Sequence, residues 1–420
     1  MRRLRLLFTP FGSEGDVNPL IWIAEGMAAR GHDVVFIITP HYQRLIDKKG
    51  FTAVPIGTEE QFLAFARNPK AWDPRNGPRT VIKGMVDTIP EAVSAFDRAG
   101  DQFDAAILST LGVAVGSLAE AKGIPRIMVH MQPICVRSIH DFPLLMPGME
   151  FLQHTPLWFK RAFFWLVDRL IWVVAERPLN RLRSHLGLPA WRSFYDEGLH
   201  GGIGGAAMFP DWFGPPQLDW PAGTRTFNFP VSPEIRLLPS DLDAFLSSGE
   251  PPIIWTHGSA NFDIEHFQRC ALRASQALGR RCLLVSLDPP KSTLPPTAFH
   301  CRHARFEDVF PRCLAAVHHG GIGTTAKAIA AGISQLIVPK SHDQPDNAQR
   351  IAKLGLGKML TYKHLDTPHL EKTLEELLAS EEIKTASLAY RDRVGGQAAR
   401  EELLNWIEQR ISEHKSSDRI

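Results

Sequence analysis

Residues 316–350 constrain the fold more than any other stretch of the chain. A short apolar and β-prone run, Ala316-Val317 into His318, enters the turn His319-Gly320-Gly321-Ile322-Gly323. Thr324 and Thr325 open an apolar helical pattern, and a second apolar run, Gln335 to Val338, follows. Strand, glycine turn, helix and strand in that order describe one unit of a parallel α/β sheet. The same turn presents backbone N–H groups and the positive end of a helix dipole, which suit a phosphate. Glycines let backbone and anion approach closely. The Thr324 hydroxyl and an imidazole add hydrogen bonds, while Asp343 and Gln344, beyond the second run, suit sugar hydroxyls. A glycine turn alone is a weak signal. The paired histidines and the Asp343-Gln344-x-x-Asn347 sequel point to a sugar-nucleotide site.

The alternation recurs on both sides of that unit. Leu4 to Thr9, Val34 to Ile38, Ala105 to Leu108 and Ile127 to Val129 are apolar runs in the first half; Ile253 to Thr256, Cys282 to Ser286 and Leu314 to His318 are their counterparts in the second. Continuous apolar strands separated by helices imply parallel sheets covered on both faces. At 420 residues, two or three domains are expected. The prolines scattered from Pro210 to Pro239 cannot sit in central strands, so a boundary falls there. The expected division is residues 1–230 and 231–420, each doubly wound, with a final helix at about 382–413 and a polar tail. Ligands in such sheets bind at the carboxyl ends of strands. The loops holding Gly12, Gly15 and Asp16, Gly258 and Ser259, and His319 are therefore expected to line one cleft.

Asn18 is read as a helix cap with Pro19 at the first helical position. That leaves Asp16 available for chemistry, the other reading being that it merely satisfies the start of the helix. Residues 151–186 stand apart: Trp158, Phe159, Phe163, Trp165, Leu166, Leu170, Trp172 and Val173 form a broad aromatic face with Lys160, Arg161, Asp168 and Arg169 between them. It reads as an extra core helix, as the roof of an apolar groove, or as a face that touches a membrane. Interrupted by Asp168-Arg169, it is too short and too charged to span a bilayer.

A net charge of +2 and the lack of Lys/Arg runs give no footprint for nucleic acid. Five scattered cysteines lack metal-ligand spacing and suit free thiols in a reducing compartment. The basic and then apolar N-terminus is too brief for a signal peptide and reads as a first strand. A cytoplasmic protein is expected, with peripheral contact at a membrane face as an additional expectation.

The run Val-His-His-Gly-Gly-x-Gly-Thr-Thr at 317–325, Pro-x-x-x-Asp-Gln-x-x-Asn at 339–347 and Gly-Asp-Val-x-Pro at 15–19 together resemble the GT-B glycosyltransferases of the bacterial antibiotic and sterol branch. Within it, the likeness is greatest to the chain-B rhamnosyltransferases of rhamnolipid synthesis. That narrower likeness rests on Asn-Pro-Lys-Ala-Trp-Asp-Pro at 68–74, the Trp/Pro segment at 209–221, and His-Asp-Gln-Pro-Asp-Asn at 342–347. The resemblance implies an inverting, metal-independent hexosyltransferase with two facing Rossmann-like domains. Its donor would be a dTDP- or UDP-sugar and its acceptor a lipophilic hydroxyl compound such as a hydroxy-fatty acid derivative, sterol or polyketide; no further cofactor is implied. His319, Gly321, Gly323 and Thr324 match the diphosphate motif, Gly258 and Ser259 a second turn near it, and Asp343 and Gln344 the pair on the donor sugar. Lys327 departs from the pattern, standing where many members carry a ribose-binding glutamate. Asp16 takes the general-base position, and His130 or His140 can share its work. A sugar in transfer passes through an oxocarbenium-like state while the attacking hydroxyl loses its proton, and a partly desolvated aspartate can accept it. Asp241-Leu-Asp243 fits an acidic metal motif only formally and reads as a solvated helix start. Two other readings remain: a sugar-nucleotide epimerase, and a catalytically idle GT-B partner protein.

Overall fold

A computed structural model describes residues 2–232, 236–258, 264–366 and 368–417. The chain divides into two compact units, one of residues 1–143, 151–230 and 397–420, the other of residues 144–150 and 231–396. Each is a wholly parallel sheet flanked by helices.

The first unit has seven strands: β1 (Arg5–Thr9), β2 (Asp33–Ile38), β3 (Thr52–Pro55), β4 (Ala105–Ser109), β5 (Arg126–His130), β6 (Gly204–Ala207) and β7 (Thr224–Thr226), in the order β3-β2-β1-β4-β5-β6-β7. The second has six: β8 (Ile253–Thr256), β9 (Cys282–Val285), β10 (Ala298–Cys301), β11 (Ala315–His318), β12 (Ser334–Ile337) and β13 (Gly357–Met359), in the order β10-β9-β8-β11-β12-β13. Both orders reverse direction once, between β1 and β4 and between β8 and β11. At such a switch point the two loops at the strand ends diverge and leave a crevice. Central strands are mostly apolar, as in Phe8 against Phe36 and Ile107 or Trp255 against Val317 and Leu284. Burial on both faces demands this.

Two expectations are corrected. The first helix begins at Glu14, not after Asn18: it runs Glu14–Ala29, capped by Ser13, with Pro19 inside it. The last part of the chain is two helices, Glu381–Arg391 and Gln397–Ser417, rather than one. Gly395 and Gly396 between them adopt φ of +70° and +95°, which a helix cannot accommodate. The Gln397–Ser417 helix belongs to the first unit. Leu403, Leu404, Ile407 and Ile411 are buried there, and a Cβ on Gly26 would come within 2.5 Å of Leu404. Glu408 accepts from Arg30 Nη1 at 2.7 Å and lies 2.8 Å from His32 Nε2, fixing the returning helix to the turn before β2.

The helix Leu157–His185 is a core element on one side only. Trp172, Ala175 and Leu179 pack with Ile82, Met85 and Val86 of the helix Gly77–Asp87.

Candidate active site

In the second unit, the crevice between β8 and β11 is built by a set of mutually locked residues. His318, the last residue of β11, is buried. Its Nδ1 accepts the Gly320 N–H at 3.1 Å, so its Nε2 carries the proton and donates to Gln335 Oε1 at 3.0 Å. Burial pushes its pKa down to about 4, keeping it neutral. Gly320 has φ of +91°, and a Cβ there would lie 2.6 Å from the Ile337 side chain. Asn347 Nδ2 donates to Gly320 O at 2.9 Å and to Asp343 Oδ2 at 2.7 Å. The first histidine of the pair and Asn347 therefore set the turn's shape.

His319 is placed differently. Its ring lies between two glycines: a Cβ on Gly258 would sit 2.7 Å from its Cε1, and one on Gly321 would sit 2.5 Å from its Nε2. Gly258 also has φ of +80°. These two glycines, after β8 and after β11, leave room for the ring. His319 Nδ1 is buried with no hydrogen-bond partner among the described residues. Burial, with His318 and His257 nearby, pushes the pKa down to about 3, so the ring is a neutral hydrogen-bonding group.

The helix Ile322–Ala331 starts beside it, with Gly321 as its cap. The Ile322 N–H reaches Asp343 Oδ2 at 3.3 Å. The intrahelical ladder begins when the Thr325 N–H meets Gly321 O at 3.0 Å. The Gly323 and Thr324 amides between them lie at the open first turn, where no intrahelical acceptor exists. A Cβ on Gly323 would meet nothing within 4 Å. Thr325 is buried and its hydroxyl donates back to Gly321 O at 3.1 Å, whereas Thr324 is partly exposed. Two amides, a helix dipole, a hydroxyl and a neutral imidazole converge on this turn, and together they can hold an anion.

Asp343 and Gln344 are close to the turn but already carry structural bonds. Asp343 Oδ2 serves Ile322 and Asn347, and burial raises its pKa. Gln344 Oε1 accepts from Lys340 N at 2.8 Å and Ser341 N at 3.2 Å. The loop these bonds hold contains His342 at φ of +60°, the one non-glycine residue with positive φ among those described. Ser259 lies outside the described residues. Lys327 points to Glu307, 3.2 Å away. Asp243 pairs with Arg312 at 2.6 Å, which fits a helix-start role for the Asp241-Leu242-Asp243 segment.

In the first unit, Asp16 is the third residue of the first helix and completes a capping box. Its Oδ2 accepts the Ser13 N–H at 2.9 Å and lies 3.3 Å from Ser13 Oγ, while the Gly15 N–H reaches Ser13 Oγ at 3.3 Å. The reading that Asn18 fills the cap role and frees Asp16 is thus corrected. Ser13-x-x-Asp16 is itself a capping pattern and was the signal for it. Gly12 is required beside it, because φ is +130° and a Cβ would fall 2.2 Å from Asp16 Oδ2; Gly15 is less constrained, with Ser13 Oγ at 3.5 Å. The Phe11 N–H donates to Ser109 Oγ at 2.9 Å, tying this loop to the end of β4 at the switch point. The negative charges of Glu14 and Asp16 reach Tyr42, whose hydroxyl pKa is raised mainly by burial.

His130 is buried, its Nδ1 3.3 Å from Thr110 Oγ1 and its Nε2 3.2 Å from His200 Nδ1. Burial holds its pKa well below the ordinary value. It is enclosed by these partners, while His140 is exposed. His200 follows a π-helical turn at residues 194–199, and nothing in its sequence surroundings marks it as a partner of His130.

Residues 288–409 match the family model of the EryCIII-like C-terminal domain, described from an erythromycin biosynthesis protein. Over 98% of its length the chain is 29% identical to the O-mycaminosyltylonolide 6-deoxyallosyltransferase of Streptomyces fradiae, covering 99% of that protein. Among solved structures, the glycotransferase of kitacinnamycin superposes with a TM-score of 0.73 at 18% identity, covering 98% of this chain and 100% of that one. Glycosyltransferase VinC in complex with dTDP gives 0.65 at 20% identity, covering 98% and 100%.

Proposed function

We infer that this chain, a sugar-transferring enzyme of the GT-B fold related to bacterial antibiotic glycosyltransferases, moves a hexose from a nucleoside-diphosphate sugar to a hydroxyl of a lipophilic acceptor. Transfer is inverting and needs no divalent metal. The observation that carries this reading is the turn around His319, where an imidazole whose buried Nδ1 is unbonded among the described residues stands beside the open amides of Gly323 and Thr324. A diphosphate seated there meets fixed dipoles that stabilise the charge developing on it as the sugar leaves. His319 is neutral around pH 7 and acts as a hydrogen-bond donor.

Asp343 lies next to that turn and takes the role of sugar-hydroxyl partner. Gln344 contributes through its amide group or by holding the loop, since its oxygen is engaged. The dTDP bound by VinC and the deoxysugar moved by the Streptomyces relative support a dTDP-deoxyhexose donor of the rhamnose type. Asp16 is the proposed base for the acceptor hydroxyl. The Ser13 N–H fixes one oxygen of its carboxylate, which orients the group. A hydroxy-fatty acid derivative is the proposed acceptor class.

The test is thermal stabilisation of the purified protein by a panel of nucleotide sugars and their nucleoside diphosphates. A dTDP-hexose and dTDP itself are expected to raise the unfolding temperature, and His319→Ala to abolish the rise. Stabilisation of the mutant equal to that of the wild type would remove the turn from donor binding.

A further inference from the structure

The helix Leu157–His185 has a second apolar face that the core does not use. Most of the large hydrophobic side chains left exposed among the described residues lie between 151 and 173. On the helix itself Trp158 is 70% exposed, Trp165 60%, Leu166 51%, Leu170 63% and Val173 75%. With 3.6 residues per turn these five fall in an arc of roughly 140° along ~22 Å of helix. The adjoining face already packs through Trp172, Ala175 and Leu179. The exposed stripe is therefore additional to the folding requirement, and contiguous apolar surface of this kind marks an interaction site.

Its charge indicates the partner. Arg161 and Arg169 are exposed on or beside the stripe, and the Arg169 guanidinium lies 5.6 Å from the centre of the Trp165 ring. Asp168, the one carboxylate between residues 157 and 175, is paired with Arg137. Glu176, one turn past Val173, is the first exposed acid on the helix. From residue 157 to 175, tryptophans and aliphatic side chains alternate with arginines and the one acid is paired, which matches the boundary between acyl chains and anionic headgroups. No described helix is long and apolar enough to cross a membrane, so the helix would lie on the surface rather than span it.

We propose that the outer face of the helix Leu157–His185 docks on an anionic lipid surface, with its aromatic rings at the headgroup boundary and its arginines on lipid phosphates. A second copy of the chain is a poorer occupant, because a two-fold contact through the 157–175 part of this face would gather arginines from both copies, where the one carboxylate, Asp168, is already paired with Arg137. The proposal stands on this face alone and holds whether or not the chain transfers sugar.

The test is co-sedimentation of the full chain with phosphatidylcholine vesicles, with and without about 30% phosphatidylglycerol. Binding to the anionic vesicles is expected, weakening with added salt. Arg161→Gln and Arg169→Gln should each lower partitioning about fivefold. The double variant Trp158→Ser, Trp165→Ser should lower it by roughly tenfold or more. Both tryptophans are exposed, so the double variant should keep the wild-type circular dichroism and melting temperature, separating lost binding from lost folding. Equal binding to neutral and anionic vesicles, no binding to either, or binding unchanged in the variants would overturn the proposal. So would a dimer in light scattering that the same double variant dissociates, which would assign the face to a second copy.

Discussion

Gly323→Ala separates stability from binding at the proposed diphosphate turn. Gly323 is helical, and a Cβ there would meet no atom within 4 Å. Glycine within a helix costs roughly 0.5–1 kcal/mol relative to alanine. The substitution should therefore stabilise the second unit by about that amount, raising its melting temperature by ~1–4 °C for a unit of this size. The same methyl would stand beside the amides of Gly323 and Thr324, where a diphosphate oxygen is proposed to sit. Losing one hydrogen bond to a charged group costs about 1.5–3 kcal/mol, or roughly 10- to 100-fold in affinity. Calorimetric titration with dTDP, paired with a thermal scan of the free protein, measures both effects. A more stable variant that binds dTDP weakly is the expected result. A variant as stable or more so, with dTDP affinity within about twofold of wild type, would show that the anion does not use this turn.

Gly258→Ala should do the opposite: with φ at +80° and a Cβ 2.7 Å from His319, it should lower stability by about 1–2 kcal/mol or more in a denaturant titration and weaken dTDP binding as the ring is displaced. Asp16→Asn should cut turnover by about 100-fold while leaving dTDP affinity intact; Ser13→Ala, which removes the hydroxyl of the same capping box, should cost ~1 kcal/mol of stability with a far smaller loss of turnover. Equal turnover losses in the two would reduce Asp16 to a cap. The buried neutral state of His318, at about 4, makes the unfolded chain bind more protons between pH 6.5 and 4, so stability should fall as pH is lowered through that window. Asp343, whose pKa is raised, acts with the opposite sign. His318→Asn, compared with wild type by denaturant midpoints at both ends of the window, should show a smaller acid loss. Transfer assayed after exhaustive EDTA treatment should retain its rate, and activity lost and then restored by magnesium would contradict a metal-free mechanism.

The central strands were legible because burial on both faces forces continuous apolar runs such as Ile253 to Thr256. Strands at the sheet edges were not. Thr52–Pro55, Thr224–Thr226, Ala298–Cys301 and Gly357–Met359 each lie at an edge, where that burial requirement relaxes. The interior strand β6 is Gly-Gly-Ala-Ala, whose composition argues against a strand; its small residues accommodate Trp406, which a Cβ on Gly204 would approach within 3.0 Å. In the site, the glycine turn could be read because Gly320 and Gly258 answer local backbone needs. The division of labour between His318 and His319 could not, since it depends on Gln335 and Gly258, which adjoin them only through strand pairing. Asp16 shows the reverse case: its capping partner was three residues away and readable, but Asn18 and Pro19 offered a competing helix start.

The most direct test of the account is the product formed from a dTDP-hexose and a hydroxy-fatty acid, with its anomeric configuration read by NMR. The account predicts dTDP release that depends on the acceptor and a glycoside of configuration inverted from the donor's. Retained configuration would overturn the inverting mechanism. A hexose epimerised on its nucleotide without any acceptor, or no reaction across a full panel of nucleotide sugars and hydroxyl acceptors, would contradict the transferase itself.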